Sequence, residues 1–103
     1  MDNQALSAFV AQRWDAEIVG QLVEYIKIPN KSPMFDADWQ ANGFMEQATR
    51  QFADWAQSQA IAGMSVDIVR LDRRTPLIFI EIDGDGDDAV LMYGHLDKQP
   101  EMT

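Results

Sequence analysis

The sequence predicts an α/β fold in which two helical regions are followed by three strands of a mixed sheet. Apolar residues recur three or four positions apart in the amino-terminal half, as in amphipathic helices. The carboxyl-terminal half instead carries short apolar runs separated by turns. A chain of 103 residues makes one domain at most. We expect three layers, with the helices packed against the sheet.

The first helical region covers a series of apolar residues at helical spacing: Leu6, Phe9, Val10, Trp14, Ile18, Leu22, Val23 and Ile26. A polar interval in the middle leaves open whether this is one long helix or two. Pro29 is expected to end it, because proline disfavours helical geometry in the residue before it and has no N–H to donate.

Residues 29 to 37 are predicted to form a loop before the second helix. Asp36, Asp38 or Asn42 could cap that helix, because short oxygen-bearing side chains accept hydrogen bonds from its first N–H groups. Gly63 is expected to end it. The helix would turn one apolar stripe inward: Phe44, Ala48, Phe52 and Trp55.

Two alternating runs follow Gly63 and predict an antiparallel hairpin. The first strand contains Val66, Ile68 and Leu71, and the second extends from Leu77 to Ile82. The acidic segment 83–88 resembles the start of an EF-hand loop, but Asp88 stands where that loop needs glycine. We therefore expect a hydrophilic turn there.

The run from Ala89 to Tyr93 is apolar without alternation, which is typical of a strand covered on both faces. It is the third predicted strand, and its partner in the sheet is left open. Gly94 ends the run and places the only histidine, His95, at the strand's carboxyl end, where open α/β sheets bind ligands.

His95 and Asp97 are separated by one residue, so their side chains would leave an extended chain on the same face. An imidazole nitrogen can bind zinc, and a neighbouring carboxylate can hold the other ring nitrogen. On this spacing alone, a hydrogen-bonded structural histidine is the commoner interpretation.

Composition excludes several classes of partner. The net charge of −9 argues against nucleic acid and anionic membranes, which need clustered Lys and Arg. No apolar stretch is long enough for a transmembrane helix, and the first residues lack the basic and then apolar pattern of a signal peptide, so secretion is not expected. The absence of cysteine excludes disulfides and thiolate ligands, and it is compatible with the cytoplasm, the expected location.

The string LMYGHLDKQP, from Leu91 to Pro100, resembles the signature of the co-catalytic zinc exopeptidases. This metallopeptidase family includes carnosinase-like and Cys-Gly dipeptidases, carboxypeptidase G, aminoacylase-1, acetylornithine deacetylase and succinyl-diaminopimelate desuccinylase. The Gln-Pro pair is most similar to the dipeptidase branch. Segments upstream are also similar, so the resemblance covers nearly the whole chain: 28–33, 38–39 and 74–81.

The resemblance implies a three-layer α/β/α catalytic domain that hydrolyses a dipeptide or an N-acyl amino acid with water bridging two zinc ions. His95 matches the first zinc ligand, and Asp97 matches the catalytic aspartate that steadies its imidazole. Tyr93, Lys98 and Gln99 would only shape the surroundings.

The family's remaining ligands, its bridging aspartate and its glutamate base would lie downstream of Thr103. We therefore expect residues 1–103 to be the amino-terminal segment of the catalytic domain, cut after the first metal-ligand motif, inactive alone and without tightly bound zinc. The alternative is a non-catalytic α/β remnant that self-associates, for instance as a homodimer, through exposed strand edges. An acidic binding module is a third class, which only the net charge supports.

Overall fold

A computed structural model describes residues 1–102 and shows a mixed α/β chain. Helices occupy its amino-terminal part and a two-stranded sheet follows them. In chain order the elements are α1 (Asn3–Arg13), a π-helical segment (Trp14–Ile18), α2 (Val19–Lys27), α3 (Trp39–Asn42), α4 (Phe44–Ser58), β1 (Met64–Val69) and β2 (Leu77–Ile82).

The first helical region is continuous from α1 to α2, so the polar interval interrupts the α-helical pattern without ending the helix. Asp2 caps its start, because its carboxylate accepts hydrogen bonds from the backbone N–H groups of Gln4 and Ala5 at 3.0 and 3.1 Å. Within the π-helical segment, the N–H of Val19 reaches back to the carbonyl of Trp14. The helix ends before Pro29, as predicted, because Ile28 is already extended, with ψ of 119°.

The second helical region is divided by Gly43, which adopts a left-handed φ of 76° between α3 and α4. Asp36 organises the preceding turn, since its carboxylate accepts hydrogen bonds from the Asp38 N–H and the Asn42 amide. The prediction that Gly63 ends the helix was wrong: α4 ends at Ser58, and Gly63 uses a φ of 76° in the turn into β1.

The predicted hairpin is confirmed. Strands β1 and β2 pair antiparallel, from Met64 opposite Ile82 to Val69 opposite Leu77. Helix α4 packs against both strands, and alternate residues of β1 are half-buried. The observed bounds of β2 match the predicted ones, whereas Leu71 lies beyond the end of β1.

The prediction of a third strand from Ala89 to Tyr93 was wrong for the chain that the structure describes. These residues form no strand, and Val90 to Tyr93 are 88–91% exposed. The sheet within residues 1–102 is therefore two-stranded and antiparallel rather than mixed. An apolar run becomes a strand only where a neighbouring strand takes up its backbone hydrogen bonds, and here it leaves the acidic turn without meeting one.

The chain exposes much more surface than a folded monomer of its mass normally does. Its accessible surface is 8471 Å², about 2600 Å² above the roughly 5900 Å² expected. Its radius of gyration is 16.2 Å, against the roughly 13 Å typical of this length. The apolar core is correspondingly small: Ile28, Met45, Ala48, Ala53 and Ala56. Across residues 1–102, no helix has the length and apolar character that a bilayer span requires.

Candidate functional site

The candidate site is the pair His95 and Asp97. The Nδ1 atom of His95 lies 2.9 Å from Asp97 Oδ1 and 3.1 Å from the Asp97 carbonyl oxygen. Both neighbours are acceptors, so Nδ1 carries the proton and donates. This leaves Nε2 as the nitrogen with a lone pair when the ring is neutral.

The His95 side chain is 64% exposed, whereas that of Asp97 is 32% exposed. The side-chain hydrogen bond with Asp97 raises the pKa of His95 above 6.5, and the bond to the Asp97 carbonyl adds to this effect. The pair therefore consists of a solvent-exposed imidazole that is hydrogen-bonded to a less exposed carboxylate.

The backbone that carries Asp97 is tied to the loop after α2. Lys98 and Lys31 form an isolated parallel bridge. In it, the Lys98 N–H donates to the Asn30 carbonyl at 3.0 Å, and the Ser32 N–H donates to the Lys98 carbonyl at 2.9 Å. The peptide groups before and after Lys98 are thus both held by hydrogen bonds.

The residue before Asp97 is fixed as well. The Leu96 carbonyl accepts hydrogen bonds from the Tyr25 hydroxyl and from the Asn30 amide, the latter at 3.0 Å. Tyr25 belongs to α2, and its ring meets that of Phe52 in α4 edge to face, with centroids 4.9 Å apart. Burial is the main cause that raises the pKa of Tyr25. The site segment is therefore connected through Tyr25 to both long helices.

The ammonium group of Lys98 has the most polar contacts of this region. It donates to the Tyr25 carbonyl at 2.6 Å, to Asn30 Oδ1 at 2.7 Å and to the Ile28 carbonyl, and it lies 3.8 Å from the centroid of the Tyr25 ring. These carbonyls end α2, where a cation is favoured. Burial lowers the pKa of Lys98. Only the protonated form, however, has three N–H groups for the three oxygens.

A salt bridge continues the attachment beyond the bridge. Lys31 Nζ lies 2.8 Å from a carboxylate oxygen of Glu101, and this hydrogen bond lowers the pKa of Glu101. Both side chains are partly or largely exposed, so the pair contributes little to stability.

Sequence reasoning missed Tyr25 and Asn30, and it gave Lys98 no defined contact. The contacts join residues that lie 66 to 73 positions apart in the sequence. No local periodicity carries a signal for such a contact. A polar residue directly after the helix-ending Pro29 was the one hint, since Asn30 proves to be only 1% exposed.

The donor set fits one zinc ligand with its supporting carboxylate, not a complete metal site. A protein zinc site takes at least three protein ligands. Within residues 1–102, no three His, Cys, Asp or Glu side chains gather into a group that could hold a metal ion. His95 could supply a nitrogen through Nε2, and any further ligand would have to come from elsewhere.

No protein-family model and no curated protein matches the chain. The metallopeptidase resemblance therefore depends on the string from Leu91 to Pro100 and the segments upstream of it.

Proposed function

We propose that this chain contributes His95 as a zinc ligand to a metallopeptidase that hydrolyses dipeptides or N-acyl amino acids. The observation that carries the proposal is the hydrogen bond between His95 Nδ1 and Asp97, which leaves Nε2 on an exposed ring to bind a metal. The proposal includes a cytoplasmic, three-layer zinc-exopeptidase domain, of which residues 1–103 form the amino-terminal segment.

In this proposal Asp97 acts on the imidazole. By accepting the Nδ1 proton, its carboxylate selects the tautomer with a free Nε2, limits rotation of the ring and makes Nε2 more basic. When bound, two zinc ions would lower the pKa of a bridging water and polarise the scissile carbonyl. The other ligands and the general base would come from residues outside this sequence.

The raised pKa of His95 also sets the pH at which the residue can bind zinc. Metal binding requires the neutral ring, so protons compete with zinc up to a higher pH than for an ordinary histidine. Zinc occupancy at His95 should therefore increase as pH rises through that raised value.

Zinc titration followed by ¹⁵N NMR of the imidazole tests the ligand assignment, because the sequence contains a single histidine. We expect weak, saturable binding that shifts Nε2 and is about 10- to 100-fold weaker in Asp97→Asn. Asp85→Asn, in the acidic turn, is the control and should bind as the native chain does. Zinc that perturbs the acidic turn but leaves the His95 ring unchanged would contradict the assignment.

Hydrolysis is tested on the longest polypeptide that the gene encodes, with a panel of dipeptides and N-acyl amino acids. His95→Ala should remove nearly all zinc-dependent activity. Activity that persists in that variant, with zinc content unchanged, would sink the proposed role of His95.

Self-association without catalysis is a second candidate, and the excess surface favours it. About 2600 Å² of surplus exposure exceeds the roughly 800 Å² that each partner buries in a standard interface. The exposed run Ala89–Tyr93 is about as long as β2, so that run of one copy could pair with the open edge of β2 in another.

Sedimentation velocity over a concentration series tests this candidate. Leu91→Lys should weaken the dimer at least about tenfold, because it places a charge within a paired apolar strand. Met34→Lys is the matched control, since Met34 is also an exposed apolar residue, at 84%, but lies in the loop after α2. A native chain that stays monomeric at every concentration rules the candidate out.

A further inference from the structure

We propose that Lys98 is a positioning residue that sets the direction in which His95 presents Nε2, an inference that rests on the proposed function for its link to zinc. Its ammonium group locks the end of α2 and the loop after it into one arrangement, and the His95–Asp97 pair is built on that arrangement.

The first step is the orientation of the Asn30 side chain. Lys98 Nζ can only donate, so the atom of the Asn30 amide that faces it, 2.7 Å away, must be the oxygen. The amide nitrogen then points to the Leu96 carbonyl at 3.0 Å. Without the ammonium group, the amide oxygen would lose its partner, and only the Leu96 carbonyl and the Met45 sulfur, 4.0 Å from the amide nitrogen, would still favour this orientation. The hydrogen bond to Leu96 would then be held less firmly.

The second step leads from that amide to Asp97. Leu96 and Lys98 are the two neighbours of Asp97, and each is attached to Asn30: Leu96 through the amide, and Lys98 through its own N–H and its ammonium group. Because both neighbouring peptides are held, the backbone at Asp97 has little freedom to move.

The third step leads from Asp97 to the metal-binding nitrogen. The ring of His95 is largely exposed, and within residues 1–102 its hydrogen bonds are both to Asp97, one to the carboxylate and one to the carbonyl. The direction of Nε2 therefore follows the position of Asp97. Hydrogen bonds join Lys98 to Asn30, Asn30 to the Leu96 carbonyl, and Asp97 to His95. The peptide bond between Leu96 and Asp97 completes the connection.

Backbone ¹⁵N relaxation and amide exchange of the full chain test the inference. In Lys98→Met, which keeps the apolar stem, the order parameter at Asp97 should fall from about 0.85 to below about 0.6. Exchange of the Ser32 N–H should quicken by about tenfold or more. Lys27→Met is the matched control, because Lys27 is an exposed lysine at the end of α2 that pairs with Glu24. It should change neither value.

Conservative variants separate positioning from general support of the fold. Lys98→Arg, also positively charged and unable to accept a hydrogen bond, should restore most of the order at Asp97. If Lys98→Met does not fold, Lys98→Gln, which keeps two N–H donors, replaces it, with intermediate order expected. The inference is overturned if Asp97 keeps its native order parameter in Lys98→Met, or in Lys98→Gln where Lys98→Met does not fold. An equal loss of order at the buried Thr49 in α4 also overturns it, because that marks a structural role alone.

The zinc titration distinguishes the two proposals. If zinc leaves the His95 ring of the native chain unchanged while Lys98→Met still loosens Asp97, the metal-binding function fails and the positioning of the pair stands. If zinc shifts the ring equally in the native chain and in Lys98→Met, with Asp97 equally ordered in both, the role of Lys98 fails and the function stands.

Discussion

Replacing Asn30 with leucine tests how strongly the site segment is attached to the helices. The two side chains have similar shapes, and Asn30 is almost fully buried, so the change removes polar contacts without opening a large cavity. It deletes the acceptor for the Lys98 ammonium group at 2.7 Å and the donor to the Leu96 carbonyl at 3.0 Å. The Leu96 carbonyl keeps its hydrogen bond from Tyr25.

The expected loss follows from these two contacts. A hydrogen bond to a charged group contributes about 1.5–3 kcal/mol and a neutral one about 1 kcal/mol. Burial of the leucine methyl groups offsets roughly 1 kcal/mol or more. The free energy of unfolding should therefore fall by about 2 kcal/mol, a large part of the roughly 5–15 kcal/mol available to a domain.

Urea unfolding followed by far-ultraviolet circular dichroism measures this loss. At an m-value of about 1–2 kcal/mol/M, the midpoint should move down by about 1–2 M. Asn3→Leu, at an exposed position in the first turn of α1, is the control and should stay within about 0.5 kcal/mol of the native chain. A midpoint for Asn30→Leu within that same margin, with an unchanged m-value, would refute the reasoning.

Two further predictions concern pH and glycine conformation. The pKa of His95, measured by NMR, should lie above 6.5 and should return towards 6.5 in Asp97→Asn. The stability that the protonated pair adds is fully present below pH 6.5 and is lost as pH rises through the raised pKa. A pKa of His95 that is the same in Asp97→Asn as in the native chain would contradict this prediction. Gly63→Ala should cost about 1 kcal/mol because φ is 76° there, whereas Gly20→Ala, in α2 with open space around the added methyl, should gain about 0.5–1 kcal/mol. Urea midpoints that move in the same direction for both glycine variants would disprove the conformational argument.

Local patterns were sufficient to predict most of the helices and the hairpin. The effect of Pro29 on Ile28, and the alternation between Leu77 and Ile82, act within a few residues, so they can be recognised without tertiary structure. The end of α4 was predicted less well, because Gly63 could end a helix or form a turn, and the turn was its actual use.

The apolar run from Ala89 to Tyr93 shows the limit of such patterns. Its composition is typical of a strand covered on both faces, but composition does not show whether a partner strand is present. The structure leaves Val90 to Tyr93 almost fully exposed, and these residues contribute to the surplus accessible surface. A strand depends on a neighbour, whereas a helix satisfies its own backbone.

The sequence by itself determined that His95 and Asp97 could meet, because one intervening residue keeps two side chains within reach. Only the tertiary structure decided what holds the pair: Tyr25, Asn30 and Lys98 come together from positions about 70 residues apart. The physical reason is that a lysine ammonium group can be satisfied by water or by any set of oxygens. Only the folded chain brings the last carbonyls of α2 and the Asn30 amide to the ammonium group of Lys98.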